Sequence, residues 1–146
     1  VLACAGQARL GCLHAVTQVF EPDERLPAPG QGALAGECQD GEPELAALLD
    51  AVTDAASLAA VTAERSLLEA LQAGCSAPIG AYAAWSAGGS GVVPPSKHGQ
   101  LRMRAAVMST DGRRMLRAYG TAAAADARRL GRDLAEELLG QSRGPG

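Results

Sequence analysis

The run AASLAAVTAERSLLEALQAG, Ala55 to Gly74, limits the fold more than any other part of the sequence. Leu58, Val61, Leu67, Leu68 and Leu71 recur at helical spacing and define one apolar stripe. Thr53 or Asp54 can cap the start of this helix. Gly74 is placed to end it as a left-handed residue. A helix this apolar along one side must be covered. Three segments with strand character follow: PIGAYAAWSA, GQLRMRAAVMS and RRMLRAYGT. In the second, Leu101, Met103, Ala105 and Val107 alternate with Arg102 and Arg104, so one sheet face is apolar and the other polar. TDGR between the last two is a hairpin turn of the Asp-Gly kind. A final helix, AADARRLGRDLAEELLG, offers Ala127, Leu130, Leu134, Leu138 and Leu139 for burial. The sequence therefore predicts an α+β unit: a small three-stranded antiparallel sheet with helices on one face.

The 146 residues suit one domain or two small ones. Aromatic residues are 3% of the chain, so the core must be built from Ala, Leu and Val. The net charge of −3 argues against a nucleic-acid binder. No apolar run is long enough to cross a membrane, and the N-terminus does not have the pattern of a signal peptide. The chain starts at Val1 on the apolar run VLACAG, which reads as the end of a buried strand and points to a fragment of a longer protein. Cys4, Cys12, Cys38 and Cys75 form no C-x-x-C pair, and only His14 and His98 accompany them, so zinc is not expected. They read as reduced thiols of a cytoplasmic protein.

The first half has less pattern. QARLG reads as a short helical turn. The prolines of the following segment predict an extended connection with a short strand at 16–20, and a strand is expected at 33–38. EPELAALLDAV is helical, with Pro43 in the first turn, where its missing N–H costs nothing. AGGSGVVPPSKHG, Ala87 to Gly99, has the composition of a mobile loop, and the tail QSRGPG should fray.

Few residues could carry chemistry. Cys75 follows a helix C-terminus, where the macrodipole raises a thiol pKa. It suits only a very reactive electrophile, and the competing reading is a small buried residue sealing a helix–strand turn. In LPAPGQGALAGE, Gly30, Gln31 and Gly32 let the backbone pass close to a ligand; the competing reading is a bare interdomain hinge. Arg9 could hold a carboxylate bidentately or simply be solvated. Glu64 or Glu69 could act as an acid or base, but no partner carboxylate or His lies nearby in sequence, and a structural ion pair is the better reading.

Taken together, AGQARLG, LPAPGQGALAGE, TAERSLLEALQAGCSAPIGAYA and DLAEELL resemble the porphobilinogen deaminase (hydroxymethylbilane synthase) family, in that order and over nearly the whole chain. The resemblance implies a dipyrromethane cofactor joined to Cys75 by a thioether, made from an electrophile so reactive that little thiolate is needed. It implies that Arg9 binds pyrrole carboxylates, that Gln31 and Gly32 line the substrate and cofactor cleft, and that Ala3 offers a backbone contact there. The family condenses four porphobilinogens into hydroxymethylbilane with loss of ammonia, so porphobilinogen and the growing pyrrole chain are the implied partners. The implied architecture places 1–32 at the end of an α/β periplasmic-binding-protein-like domain, 33–50 in a crossing to another, and 51–146 in the C-terminal α+β domain. A cytoplasmic monomer is expected. The catalytic aspartate belongs to the N-terminal domains, so no catalytic residue is assigned to this chain, and the fragment alone should be inactive. Gln7, Pro29 and Gln39 depart from the residues usual at their positions. The alternative is a non-catalytic α+β ligand-binding or regulatory domain with Cys75 as a core residue.

Overall fold

The computed structural model describes residues 1–74, 77–86 and 99–143. Along the chain run helix α1 (Cys4–Arg9), a 3-10 turn (Leu13–Ala15), helices α2 (Pro43–Val52) and α3 (Ala55–Ala70), and strands β1 (Ile79–Trp85), β2 (Leu101–Met108) and β3 (Met115–Ala122). A second 3-10 turn (Ala124–Asp126) leads into helix α4 (Ala127–Arg143). The strands form one antiparallel sheet in the order β1-β2-β3. Helices α3 and α4 pack on each other and cover the same sheet face, α3 mainly over β1 and α4 mainly over β3. The α+β reading of the C-terminal part is the observed fold.

Both residues proposed to cap α3 are used, at different helix ends. Asp54 is the N-cap, and its carboxylate accepts the Ser57 N–H at 2.7 Å, which holds its pKa below the usual range. Thr53 instead closes α2, its hydroxyl donating to the Leu49 carbonyl at 2.8 Å. The other end differs from expectation. Gln72, at φ 51°, is the left-handed residue, and Gly74 is not. The Ala73 N–H reaches the Leu68 carbonyl at 3.0 Å and the Gln72 N–H reaches Glu69 at 3.1 Å, the paired bonds of a Schellman motif. The helix therefore ends at Ala70, and its left-handed residue lies two positions before the glycine.

The buried side of α3 is built from Ala63, Glu64, Ser66 and Leu67, whereas Leu58 is 56% exposed. Of the expected stripe, Leu67 is fully buried and Leu71 packs against the core, while the contact with α4, a close helix neighbour, brings in the small residues Ala63 and Ser66 and leaves Leu58 outside. A Cβ at Gly131 of α4 would run into the Ser66 hydroxyl and the Ala63 carbonyl of α3. The core is light: Ala81, Ala83, Ala105 and Ala118 from the sheet meet Leu67, Leu101, Met103, Leu130, Leu134 and Leu138. Leu139, expected inside, is 37% exposed. Gly120 in β3 leaves the space that Leu130 and Leu134 fill. Helix α4 also runs past Gly140 to Arg143, because Gln141 donates to the Arg117 carbonyl of β3 at 3.0 Å and docks the last turn on the sheet. The TDGR turn is present, with Gly112 at φ 71° and Asp111 accepting from the Ser109 hydroxyl and the Arg113 N–H. The expected loop Ala87 to Gly99 lies almost wholly outside the described residues, as does the end of the tail.

Residues 1–53 behave differently. None of them is buried. The strand expected in VLACAG is replaced by α1, and 16–20 and 33–38 are extended without being strands. The physical reason is that an extended run becomes a strand only when a neighbour completes its ladder. Among the described residues these segments have no such neighbour. Helix α2 forms as expected, with Pro43 in its first turn, but none of its residues is buried.

Candidate functional site

Cys75 and Ser76 lie outside the described residues, so the site is defined by what flanks them. On one side is the Schellman end of α3. On the other, the Ala77 N–H donates to the Gly74 carbonyl at 3.0 Å, and β1 begins at Ile79. At the start of β1 its open edge is met by Leu26 and Pro27, the first residues of a strap, Leu26–Gly32. The Ala81 N–H donates to the Pro27 carbonyl at 3.0 Å. Gly80 permits this approach, since a Cβ there would lie 2.7 Å from the Leu26 Cβ and 3.3 Å from its carbonyl oxygen. Beyond Pro27 the strap bends into consecutive turns. The Gln31 N–H reaches the Ala28 carbonyl at 3.1 Å, the Ala33 N–H reaches Gly30 at 3.2 Å, and Gly30 stands at φ 75°.

One side chain holds this bend. Glu64 of α3 is 7% exposed and accepts two backbone N–H groups, Gly30 at 2.6 Å and Ala83 at 2.7 Å. Of the two glutamates expected in ion pairs, Glu69 makes one, with Arg128 at 3.1 Å, and Glu64 makes none among the described residues. Burial disfavours its charge and pushes its pKa above the ordinary range, and the two N–H bonds offset part of that rise. Sequence reading missed this role. The available signal was an acidic residue at the helical spacing of Ala60, Ala63 and Leu67, inside the buried face.

The structure thus places Gln31 and Gly32 in the turn that Glu64 ties, through Gly30, to the strand that follows Cys75. Gln31 is exposed and uses its side-chain oxygen to accept the Ala28 N–H at 3.1 Å. Its Nε2 and the Gly32 N–H have no acceptor among the described residues, so both are available to an anionic ligand. Arg9 and Ala3 belong to a different place. Both are exposed on α1, whose main packing partner is the following 3-10 turn; Ala3 is the N-cap, and its carbonyl accepts the Gln7 N–H. Arg9 has no acidic partner among the described residues. Two cations not singled out from the sequence, Arg25 and Arg117, border a hollow of about 310 Å³ between the strap and the open sheet face, with Ala77 and Pro78 at its edge.

The open face carries a cross-strand row of Tyr82, Arg104 and Tyr119. Arg104 is paired with Asp23 at 3.1 Å, and Arg117 donates to the Asp23 carbonyl at 3.4 Å. The segment leading into the strap is therefore pinned to the sheet as well.

A family model described as the C-terminal domain of porphobilinogen deaminase matches residues 58–140, more than half of the chain. A second, described as the dipyromethane cofactor binding domain of porphobilinogen deaminase, matches residues 1–47. Cys75 lies in the region of the first. Curated proteins named porphobilinogen deaminase from Mycobacterium tuberculosis (strain ATCC 25618 / H37Rv), Mycobacterium bovis (strain BCG / Pasteur 1173P2) and Mycobacterium marinum (strain ATCC BAA-535 / M) are each 48% identical over 143 residues. The alignments cover 95% of this chain and 44% of each relative, so the chain spans less than half the length of the proteins it matches. With two consecutive family models and a sheet, helix pair and strap laid out as described, the chain belongs to the porphobilinogen deaminase family.

Proposed function

We propose that this chain is the C-terminal, cofactor-tethering part of an enzyme that condenses four porphobilinogen molecules head to tail into hydroxymethylbilane. Each condensation forms one carbon–carbon bond and releases one ammonia. The observation that carries the reading is the 48% identity to named deaminases across 95% of the chain. The geometry supports it: Glu64 ties the turn that carries the Gln31 and Gly32 donors to the strand that follows Cys75.

A dipyrromethane joined to the Cys75 sulfur is the cofactor in this reading, and when bound it supplies the pyrroles from which the product grows. The donors present fit such a group. Acetate and propionate side chains need N–H donors that are not already committed, and Gln31 Nε2, the Gly32 N–H and Arg9 meet that need. Arg9 and Ala3 stand apart from the sheet in this chain. Their part in the cleft is exercised once the N-terminal domains are in place. The same absence accounts for the exposure of residues 1–53, in which 1–32 closes the second domain and 33–50 crosses to the first. The unpaired Cys4, Cys12 and Cys38 suit a reducing cytoplasm, and the enzyme acts as a monomer.

The test is the denatured intact mass of the full-length protein and of its Cys75→Ala variant. Two added pyrrole units on the first and none on the second are expected. A folded full-length protein without added mass overturns the reading and leaves a non-catalytic α+β binding domain. Purified alone, the 146-residue chain is expected to form no bilane.

A further inference from the structure

Along the open edge of β1 the outward N–H groups alternate. Ala81 finds the strap carbonyl of Pro27, but Ala83, two residues on, does not find the next one, because the strap has turned away through Pro29 and Gly30. That turn also removes the Gly30 N–H from any ladder. Two backbone donors are thereby left without backbone acceptors at the point where strap and strand diverge. The Glu64 carboxylate, reaching across from α3, satisfies both, one with each oxygen. No neutral side chain does this equally well. A glutamine has one acceptor and turns an NH₂ donor toward the second N–H. The carboxylate therefore stands in for the missing length of strand.

We propose that Glu64 is a positioning residue, a clasp that fixes the Gly30–Gly32 turn to the strand following Cys75 and so holds the Gln31 and Gly32 donors at a set place relative to that strand. Its consequence for substrate rests on the deaminase reading above; the clasp itself does not. Loosening it should leave α3, the sheet and the tether in place while the turn wanders, so substrate binding suffers more than turnover.

The experiment uses the full-length protein as wild type, Glu64→Gln and Glu64→Asp. The aspartate is one methylene short and cannot span both donors, which provides a second variant if the first folds poorly. Hydrogen exchange is read on peptides covering 29–33 and 82–84, alongside intact mass and steady-state kinetics with porphobilinogen. In both variants exchange should quicken at both segments by about 10-fold or more, the scale of a lost charge-assisted hydrogen bond. In the fraction carrying the two-pyrrole mass, KM should rise about 10-fold while kcat falls less, the pattern of lost ground-state binding. Unchanged exchange at both segments overturns the clasp. Faster exchange with unchanged KM in the loaded enzyme overturns the positioning role and leaves a structural one. A wild type that carries no pyrrole mass strikes down the deaminase reading instead, and the exchange comparison then decides the clasp alone.

Discussion

Gly131 of α4 lies against Ser66 of α3 so closely that a methyl group at Gly131 would overlap the Ser66 hydroxyl. The Ala63 carbonyl and the Leu67 amide nitrogen of α3 crowd the same point, so the obstacle is mostly backbone. Gly131→Ala must push the helices apart. On helix propensity alone the substitution would stabilise by about 1 kcal/mol. Overpacking against backbone should outweigh that, for a net loss of about 2 kcal/mol. Urea unfolding of the two proteins checks the sign, and a stabilised variant would show that the helices have room to spare.

The left-handed Gln72 gives a second prediction. An L residue in that region costs roughly 1–2 kcal/mol, and glycine escapes the cost while losing part of the gain to its freer unfolded chain. Gln72→Gly should therefore stabilise by about 0.5–1 kcal/mol. Gly74→Ala, at a position without positive φ, should change stability by less than about 0.5 kcal/mol. If the glycine at 74 were the true helix stop, these two effects would trade places, so thermal unfolding of the pair is decisive.

Glu64 gives a pH dependence whose direction follows from burial. Desolvation is the larger influence and its pKa is raised, with no cation at ion-pair distance among the described residues. The native state therefore holds this proton more tightly than the unfolded chain does. Below the unfolded value, near pH ~4.3, both states are protonated. Between the unfolded and folded values the native state keeps a proton that the unfolded chain has lost. Stability then falls as pH rises, by about 1.4 kcal/mol for each pH unit between those two values, and levels off above the folded one. The urea midpoint of the wild type, compared with Glu64→Gln from about pH 4 to pH 8, should drop relative to the variant over that window. A relative rise would mean that the two N–H bonds outweigh the desolvation, with the carboxylate stabilised by its site.

The β2–β3 hairpin shows how legible the C-terminal part was. Asp111-Gly112 sits between two runs with alternating apolar residues, and both signals act within a few residues, so sequence reading recovers them. The Gly30 turn was also legible, because the GQG motif that marks it is short and contiguous. Glu64 was misread for the opposite reason. Its partners lie 34 and 19 residues away in sequence, and nothing local to TAERS distinguishes a clasp from a surface ion pair.

Local signals alone set the order and type of the elements from Asp54 onward. Capping residues, hydrophobic period and turn chemistry are local properties and all point to one answer there. The tertiary structure decided that small residues share the inward side of α3 with Leu67, because the close passage of α4 at Gly131 leaves room only for Ala63 and Ser66 there. It decided where α3 stops and how far α4 continues, through Gln72 and the bond from Gln141 to the Arg117 carbonyl. It also decided that 16–20 and 33–38 are not strands within this chain. A strand is a property of two neighbours, and a segment whose hydrogen-bonding partner is not at hand can be extended but has no ladder to join.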